Sequence, residues 1–284
     1  MKIAVASGKG GTGKTTVSVN LAAVCTGSVQ LIDCDVEEPN AHLFLKPQIT
    51  SVSDVDISVP RIDENKCTFC GKCKEACVFN AITVVRPKDE RLKGSHLVFD
   101  DLCHGCGVCS YVCPVNAVAF VPNKVGELER GCAGKIDFVH GRLRIGAAMA
   151  PPVIKAVKKH IDNSATVIID SPPGTSCSMV ATVQGCDYCV LVTEPTPFGL
   201  NDLKLAVDVV KETGIAYGVV INKADIGDCM VQEYCRAEDI TVLAEIPFCR
   251  ETAVEYSKGS MLVDSVEGYR EMFENILGGI KGNL

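Results

Sequence analysis

The chain has 284 residues, 47% of them hydrophobic, and a formal net charge of −7. That length buries one large core, or one core plus a small module. The acidic balance, with no long Lys/Arg run, speaks against nucleic acid as the main partner, and no apolar stretch reaches the ~18 residues of a membrane span.

The elements follow in chain order. Lys2–Ser7 reads as a short buried strand that runs straight into a glycine-rich loop, leaving no room for a cleaved signal. Lys14–Thr26 reads as a helix and Val29–Asp33 as a second strand. Four more β-branched runs follow at Thr166–Asp170, Tyr188–Thr193, Tyr217–Asn222 and Thr241–Ile246. Helical patterns at Pro151–Ile161, Asn201–Thr213 and Cys229–Arg236 separate most of them, and a helix at Glu267–Leu277 comes last, with Gly278 and Gly279 breaking it. Strands alternating with helices imply an α/β fold, a mostly parallel sheet with helices on both faces. Ligands of such sheets bind at the carboxyl ends of the strands.

Between residues 60 and 124 this rhythm stops and cysteines take over. Cys67–Val84 is echoed thirty-six residues later by Cys103–Phe120, Asn80-Ala81-Ile82 matching Asn116-Ala117-Val118. Two copies of one unit imply pseudo-twofold packing whose ends meet, as an insertion requires. The expected organisation is residues 1–59 and 125–284 as one domain, interrupted by an inserted α+β module at 60–124.

Seventeen cysteines raise the question of disulfides, but a chain of this size needs no staples, and eight of the thiols fall into metal spacing. Cys67, Cys70, Cys73 and Cys77 form one C-x2-C-x2-C-x3-C run; Cys103, Cys106, Cys109 and Cys113 form another, followed by Pro114. This is the bacterial ferredoxin spacing for paired [4Fe-4S] clusters, in which the fourth cysteine of each run serves the other cluster. It predicts Cys67, Cys70, Cys73 and Cys113 on one centre, and Cys77, Cys103, Cys106 and Cys109 on the other. Zinc is the alternative for paired C-x2-C units. Val78 departs from the pattern, standing where a proline often follows the fourth cysteine. Cys189 reads as a buried strand thiol, Cys229, Cys235 and Cys249 as structural, and His104 and His140 as lone surface histidines. So many free thiols fit a reducing, oxygen-protected cytoplasm.

The loop Gly8-Lys9-Gly10-Gly11-Thr12-Gly13-Lys14-Thr15-Thr16 is a complete GxxxxGKT after a strand. Its backbone N–H groups cradle phosphate, Lys14 reaches the β- and γ-phosphates, and the Thr15 hydroxyl ligates Mg²⁺. With the early Lys9, this form resembles the deviant phosphate loop of the MinD/ParA/nitrogenase-iron-protein family. Asp33-Cys34-Asp35 is similar to that family's switch I, and Val167–Asp170 with Ser171-Pro172-Pro173-Gly174-Thr175 to its Walker B strand and switch II. Taken whole, the chain resembles MinD/ParA/Mrp superfamily P-loop (SIMIBI type) ATPases that carry an inserted ferredoxin domain.

The resemblance implies the following. Lys9 reaches across a homodimer to the partner's nucleotide, Asp33 lies near Mg²⁺, Asp35 orients the attacking water, Asp170 holds Mg²⁺ through water, and Gly174 offers a backbone donor to the γ-phosphate. Asn222 is expected at the base edge; the resemblance favours ATP, while the N-K-x-D run ending in Asp225 keeps GTP open. Cys177 and the Gly131-Cys132-Ala133-Gly134-Lys135 segment are similar to the nitrogenase iron protein's cluster ligands, which implies a third, bridging cluster at a dimer interface; two partly buried thiols are the plainer reading. The functions implied are an ATPase coupling a dimer switch to electron transfer through two [4Fe-4S] clusters, an iron–sulfur or heterometal carrier ATPase with an unidentified redox or client partner, or a MinD-like spatial regulator. The last fits least, because the C-terminal segment has few basic residues to hold a membrane surface.

Overall fold

The computed structural model describes residues 1–86, 89 and 94–284. Its strands, in chain order, are β1 (Lys2–Ala6), β2 (Val29–Asp33), β3 (Gln48–Ile62), β4 (Ile82–Val85), β5 (Ser95–Val98), β6 (Val118–Ala133), β7 (Ile136–Leu143), β8 (Thr166–Asp170), β9 (Tyr188–Thr193), β10 (Ala216–Asn222) and β11 (Val242–Ile246). Two compact units emerge: one from Met1–Ser53, Leu128–Arg142 and Val153–Leu284, the other from Asp54–Glu127 and Leu143–Pro152.

The first unit is built on a sheet of order β11-β10-β9-β1-β8-β2-β7, continued by β6 and β3. From β11 to β7 every neighbouring pair is parallel, with Ile3 beside Ile168 and Asp33 beside both Asp170 and His140. Parallel strands buried on both faces read as near-continuous apolar runs, and β1, β2, β8 and β9 do, with Ile3, Leu31, Ile168 and Val190 fully buried and Gln30, Asp33 and Asp170 the buried polar exceptions in β2 and β8.

The helix Lys14–Val24 is buried on almost every side and lies in one core with Phe138, Tyr188, Phe273, Ile276 and Ile280. The C-terminal helix runs Tyr269–Gly282, straight through Gly278 and Gly279 rather than ending before them. Each glycine costs a helix about 1 kcal/mol; burial of Phe273, Ile276, Leu277 and Ile280 on one face outweighs it. Thr196 caps the helix Pro197–Thr213 by accepting the Gly199 N–H at 3.0 Å.

β7 follows β6 through a two-residue turn at Gly134-Lys135. Where β3 and β6 meet, a Cβ on Gly131 would lie 2.2 Å from the Gln48 carbonyl oxygen, so only glycine fits. His140 is not a surface residue: it is 1% exposed and its Nε2 lies 2.8 Å from a Glu129 carboxylate oxygen. That hydrogen-bonding partner on β6 makes the burial possible.

The second unit holds the cysteine repeat. β4 and β5 pair antiparallel, Ile82 opposite Val98. Phe69, Ile82 and Val84 form its small core, with Cys67, Cys73 and Cys109 packed against them. The two repeats adopt matching backbones: Phe69 and Gly105, Gly71 and Gly107, and Asn80 and Asn116 all have positive φ.

Candidate functional site

The carboxyl ends of β1, β2, β8, β10 and β11 converge on a cavity of about 460 Å³, lined by Gly10, Gly11, Gly13, Lys14, Thr15 and Thr16, then by Asp35, Glu38, Asn40, Pro173 and Asn222. Its far end is apolar, formed by Pro247, Phe248, Tyr256 and Tyr269. Gly13, at φ 97°, turns the loop into the helix that starts at Lys14. A Cβ there would lie 2.5 Å from the Asn222 amide nitrogen, so the loop and Asn222 fit only while position 13 is glycine.

Asp35 and Glu38 line this cavity, and two buried carboxylates, Asp33 and Asp170, act on its Lys14. The Thr15 hydroxyl donates to Asp170 at 2.6 Å and Ser18 to its other oxygen at 2.9 Å. Asp33 accepts the backbone N–H groups of Asp35, Asn40 and Ala41 at 3.0, 3.2 and 3.1 Å, which shapes the loop after β2. Burial pushes Asp33 well above the usual carboxylate range, with the Asp170 charge adding to it. Burial likewise lifts Asp35 and Asp170 to about 6, against the pull of Lys14 on both. Burial lowers Lys14, opposed by the charges of Asp170, Asp35 and Asp33. One lysine facing three carboxylates leaves excess negative charge, the electrostatic setting that favours a divalent cation.

The other expected nucleotide residues lie as follows. The Asn222 amide donates to the Thr12 carbonyl at 2.8 Å, and the Asp225 carboxylate accepts the Phe248 N–H at 2.6 Å, so Asp225 ties two loops together. The Gly174 N–H is donated to the Ser7 carbonyl at 3.0 Å. Gly8 packs on the Asp202 backbone. Lys9 stands outside the cavity lining, its ammonium 3.5 Å from Glu194, which also pairs with Lys223 at 2.5 Å. Thr12 is buried with its hydroxyl unpartnered. An orphaned hydroxyl inside a phosphate loop fits an incoming phosphate oxygen.

Glu194, Ser18 and the apolar end were not anticipated from sequence. Ser18 lies one helical turn after Lys14, and Glu194 directly follows a strand; both signals were readable. Pro247, Phe248 and Tyr256 have no local pattern.

In the cysteine unit, Cys67, Cys70, Cys73 and Cys113 line one cavity of about 20 Å³. Cys77, Cys103, Cys106 and Cys109 line a second of the same size. Backbone N–H groups point at sulfur in matched pairs: Phe69 to Cys67 and Gly105 to Cys103, both at 3.4 Å, and Ala81 to Cys77 and Ala117 to Cys113, both at 3.3 Å. Among the described residues no three such side chains close on one point as the ligands of a single ion do; the thiols stand around hollows instead. Desolvation pushes the Cys73, Cys103 and Cys109 thiols up, the last to about 11, so ionised sulfur here needs positive charge beside it. Cys132, near the end of β6, and Cys177, opening the helix Cys177–Val183, are both exposed. Cys189 and Cys235 are buried, and Cys249 caps the helix Arg250–Ser257 by accepting the Thr252 N–H.

The parallel sheet with a glycine loop at its switch point defines a P-loop nucleotide-binding protein. The model of the CobQ/CobB/MinD/ParA nucleotide binding domain family matches residues 3–263, and the chain belongs to that family. An uncharacterized protein of Methanocaldococcus jannaschii is 32% identical over 243 residues, covering 81% of this chain and 83% of its own length. An iron-sulfur cluster carrier protein of Pyrococcus horikoshii is 24% identical over 269 residues, covering 87% and 73%. In fold the chain is similar to the cell division ATPase MinD of Pyrococcus furiosus, with a TM-score of 0.57, 20% identity and 99% and 98% coverage. It is also similar to the MinD of Pyrococcus horikoshii complexed with Mg-ADP, with a TM-score of 0.56, 21% identity and 100% and 99% coverage. No helix among the described residues is long and apolar enough to cross a membrane.

Proposed function

We propose that this chain is an ATP-hydrolysing dimer switch coupled to electron transfer through two [4Fe-4S] clusters held by a ferredoxin-like insert at 60–124. The observation that carries this reading is the partition of eight cysteines around two cavities, Cys67, Cys70, Cys73 and Cys113 about one and Cys77, Cys103, Cys106 and Cys109 about the other, in a chain that also holds the phosphate loop. The donor set supports clusters: four soft thiols per cavity and backbone N–H groups directed at sulfur suit iron–sulfur ligation. When bound, each cluster carries one electron.

At the nucleotide site, Lys14 and the loop amides hold the phosphates of ATP, and Thr15, Asp33 and Asp170 hold Mg²⁺, directly or through water. When bound, the cation neutralises charge that gathers on the phosphoryl oxygens. Asp35, lining the cavity, orients the attacking water, with its neighbours Glu38 and Asn40 shaping that wall. Asn222 braces the loop from behind, and the Pro247–Phe248 end takes the base. Asp225 is occupied by the Phe248 N–H, which leaves it poorly placed to grip guanine and supports ATP. Lys9, resting on Glu194, transfers to the partner's nucleotide when two copies close. The γ-phosphate drives that closure because it binds the closed state preferentially.

A second reading, a carrier of iron–sulfur clusters, is favoured by the cluster-carrier relative and by the exposure of Cys132 and Cys177, which would hold a bridging, transferable cluster. Anaerobic reconstitution separates the two. A donor delivers electrons at a rate that depends on ATP and keeps its iron; a carrier loses iron to an apo-acceptor, and Cys132→Ala or Cys177→Ala stops the loss.

A further inference from the structure

The two halves of the cysteine repeat share their ligand spacing but not their surroundings. Around the first motif stand Lys66, Lys72 and Lys74, all exposed. Thirty-six residues on, the corresponding positions are Leu102, Val108 and Ser110. Glu75 corresponds to Tyr111, which is 92% exposed. The segment 61–93 carries eight lysines and arginines against five acidic residues, whereas 95–127 carries one against three. Thus a cationic segment sits within a chain of net charge −7.

The two cavities are also faced differently. Lys72 lines the first. The second is lined by Phe79 and His104, whose rings stack with centroids 3.4 Å apart and planes 5° from parallel. Both cavities have aromatic and aliphatic walls, Phe69, Val84 and Val115 in the first and Phe79, Val108 and Phe120 in the second; the first alone has a lysine in its lining.

Resting on the two-cluster reading, we infer that the first motif is the port for a soluble, acidic one-electron carrier protein, which docks on Lys66, Lys72 and Lys74. Exposed lysines steer an acidic partner into encounter and fix its orientation, with an effect that falls steeply as salt rises. The second motif lacks the charges to do this. Each encounter moves one electron from the reduced carrier to the centre held by Cys67, Cys70, Cys73 and Cys113; the carrier leaves oxidised by one electron, and no bond or proton is exchanged.

The test uses full-length protein loaded anaerobically and a strongly acidic two-iron ferredoxin as probe, with binding read by calorimetry. The expected result is salt-sensitive binding that weakens about tenfold or more in the K66E/K74E double variant, at unchanged iron content and visible absorbance. The Y111S variant should stay within about twofold of the parent. Absence of probe binding, charge reversal without effect, or a loss confined to Y111S, all in iron-replete protein, would overturn the port while leaving the two-cluster reading intact. A parent that takes up no iron would sink both.

Discussion

The Thr15 hydroxyl donates to Asp170 at 2.6 Å across 155 residues of chain, fastening the phosphate-loop helix to the end of β8. Ser18 completes the clasp on the other carboxylate oxygen. Both hydroxyls and the acid are buried, so the contact serves folding as well as nucleotide chemistry. Asp170→Ala leaves the buried Thr15 hydroxyl without an acceptor and Ser18 with only the Lys14 carbonyl, and is expected to lower stability by about 1–3 kcal/mol in urea unfolding. Asp170→Asn, which keeps the shape, should unfold nearer to the parent yet lose at least about tenfold in Mg-nucleotide affinity. Equal affinity of the Asn variant and the parent would remove Asp170 from the cation site.

The two loop lysines are expected to separate binding from turnover. Lys14 lines the cavity, whereas Lys9 lies outside it on Glu194. Lys14→Ala should abolish nucleotide binding in equilibrium dialysis. Lys9→Ala should bind within about threefold of the parent and lose the part of its hydrolysis rate that rises with protein concentration. Unchanged turnover in Lys9→Ala would mean the residue does nothing across a dimer.

Much of this was legible beforehand. Strands β1, β2, β8 and β9 follow from short β-branched runs because both of their faces are buried, so most residues are apolar, and the buried centre of β10 reads the same way. The phosphate loop and the cysteine runs were legible because their chemistry fixes residue type at fixed spacing. The long strands β3 and β6 were not. Residues 48–54 of β3 are exposed, so no burial period marks them, and the polar surface reads as loop. His140 looked like a surface residue because its burial depends on Glu129, on another strand. Phe248 and Tyr256 reach the cavity only through topology that joins β11 to a loop over 200 residues away.

Glu129 supplies a prediction on pH. Its hydrogen bond to His140 holds the carboxyl below the usual glutamate range. The folded form therefore binds this proton more weakly than the unfolded chain, so the pair's contribution is complete above the ordinary glutamate value of about 4.3 and is lost as pH falls through the lower folded value. Glu129→Gln should cost about 1 kcal/mol near neutrality and flatten the acid limb of the stability profile. Denaturant midpoints measured from pH 3 to 7 would show it; identical acid limbs would deny the pair any role.

Cys67 and Cys113 lie far apart in sequence and line one cavity, while Cys77 lines the other. Cys67→Ala and Cys113→Ala should therefore lose the same centre, and the double variant should lose no more than either alone. Cys77→Ala should lose the other, leaving a different midpoint in redox titration. If Cys67→Ala and Cys77→Ala left the same surviving signal, the crossed pairing would be wrong.

The most direct test counts iron and acid-labile sulfide per chain after anaerobic reconstitution, with the visible spectrum recorded alongside. The account predicts about eight of each, falling to about four when either cavity loses a ligand. A chain that binds nucleotide but carries neither sulfide nor sulfur-to-iron absorbance, or holds zinc alone, would contradict it.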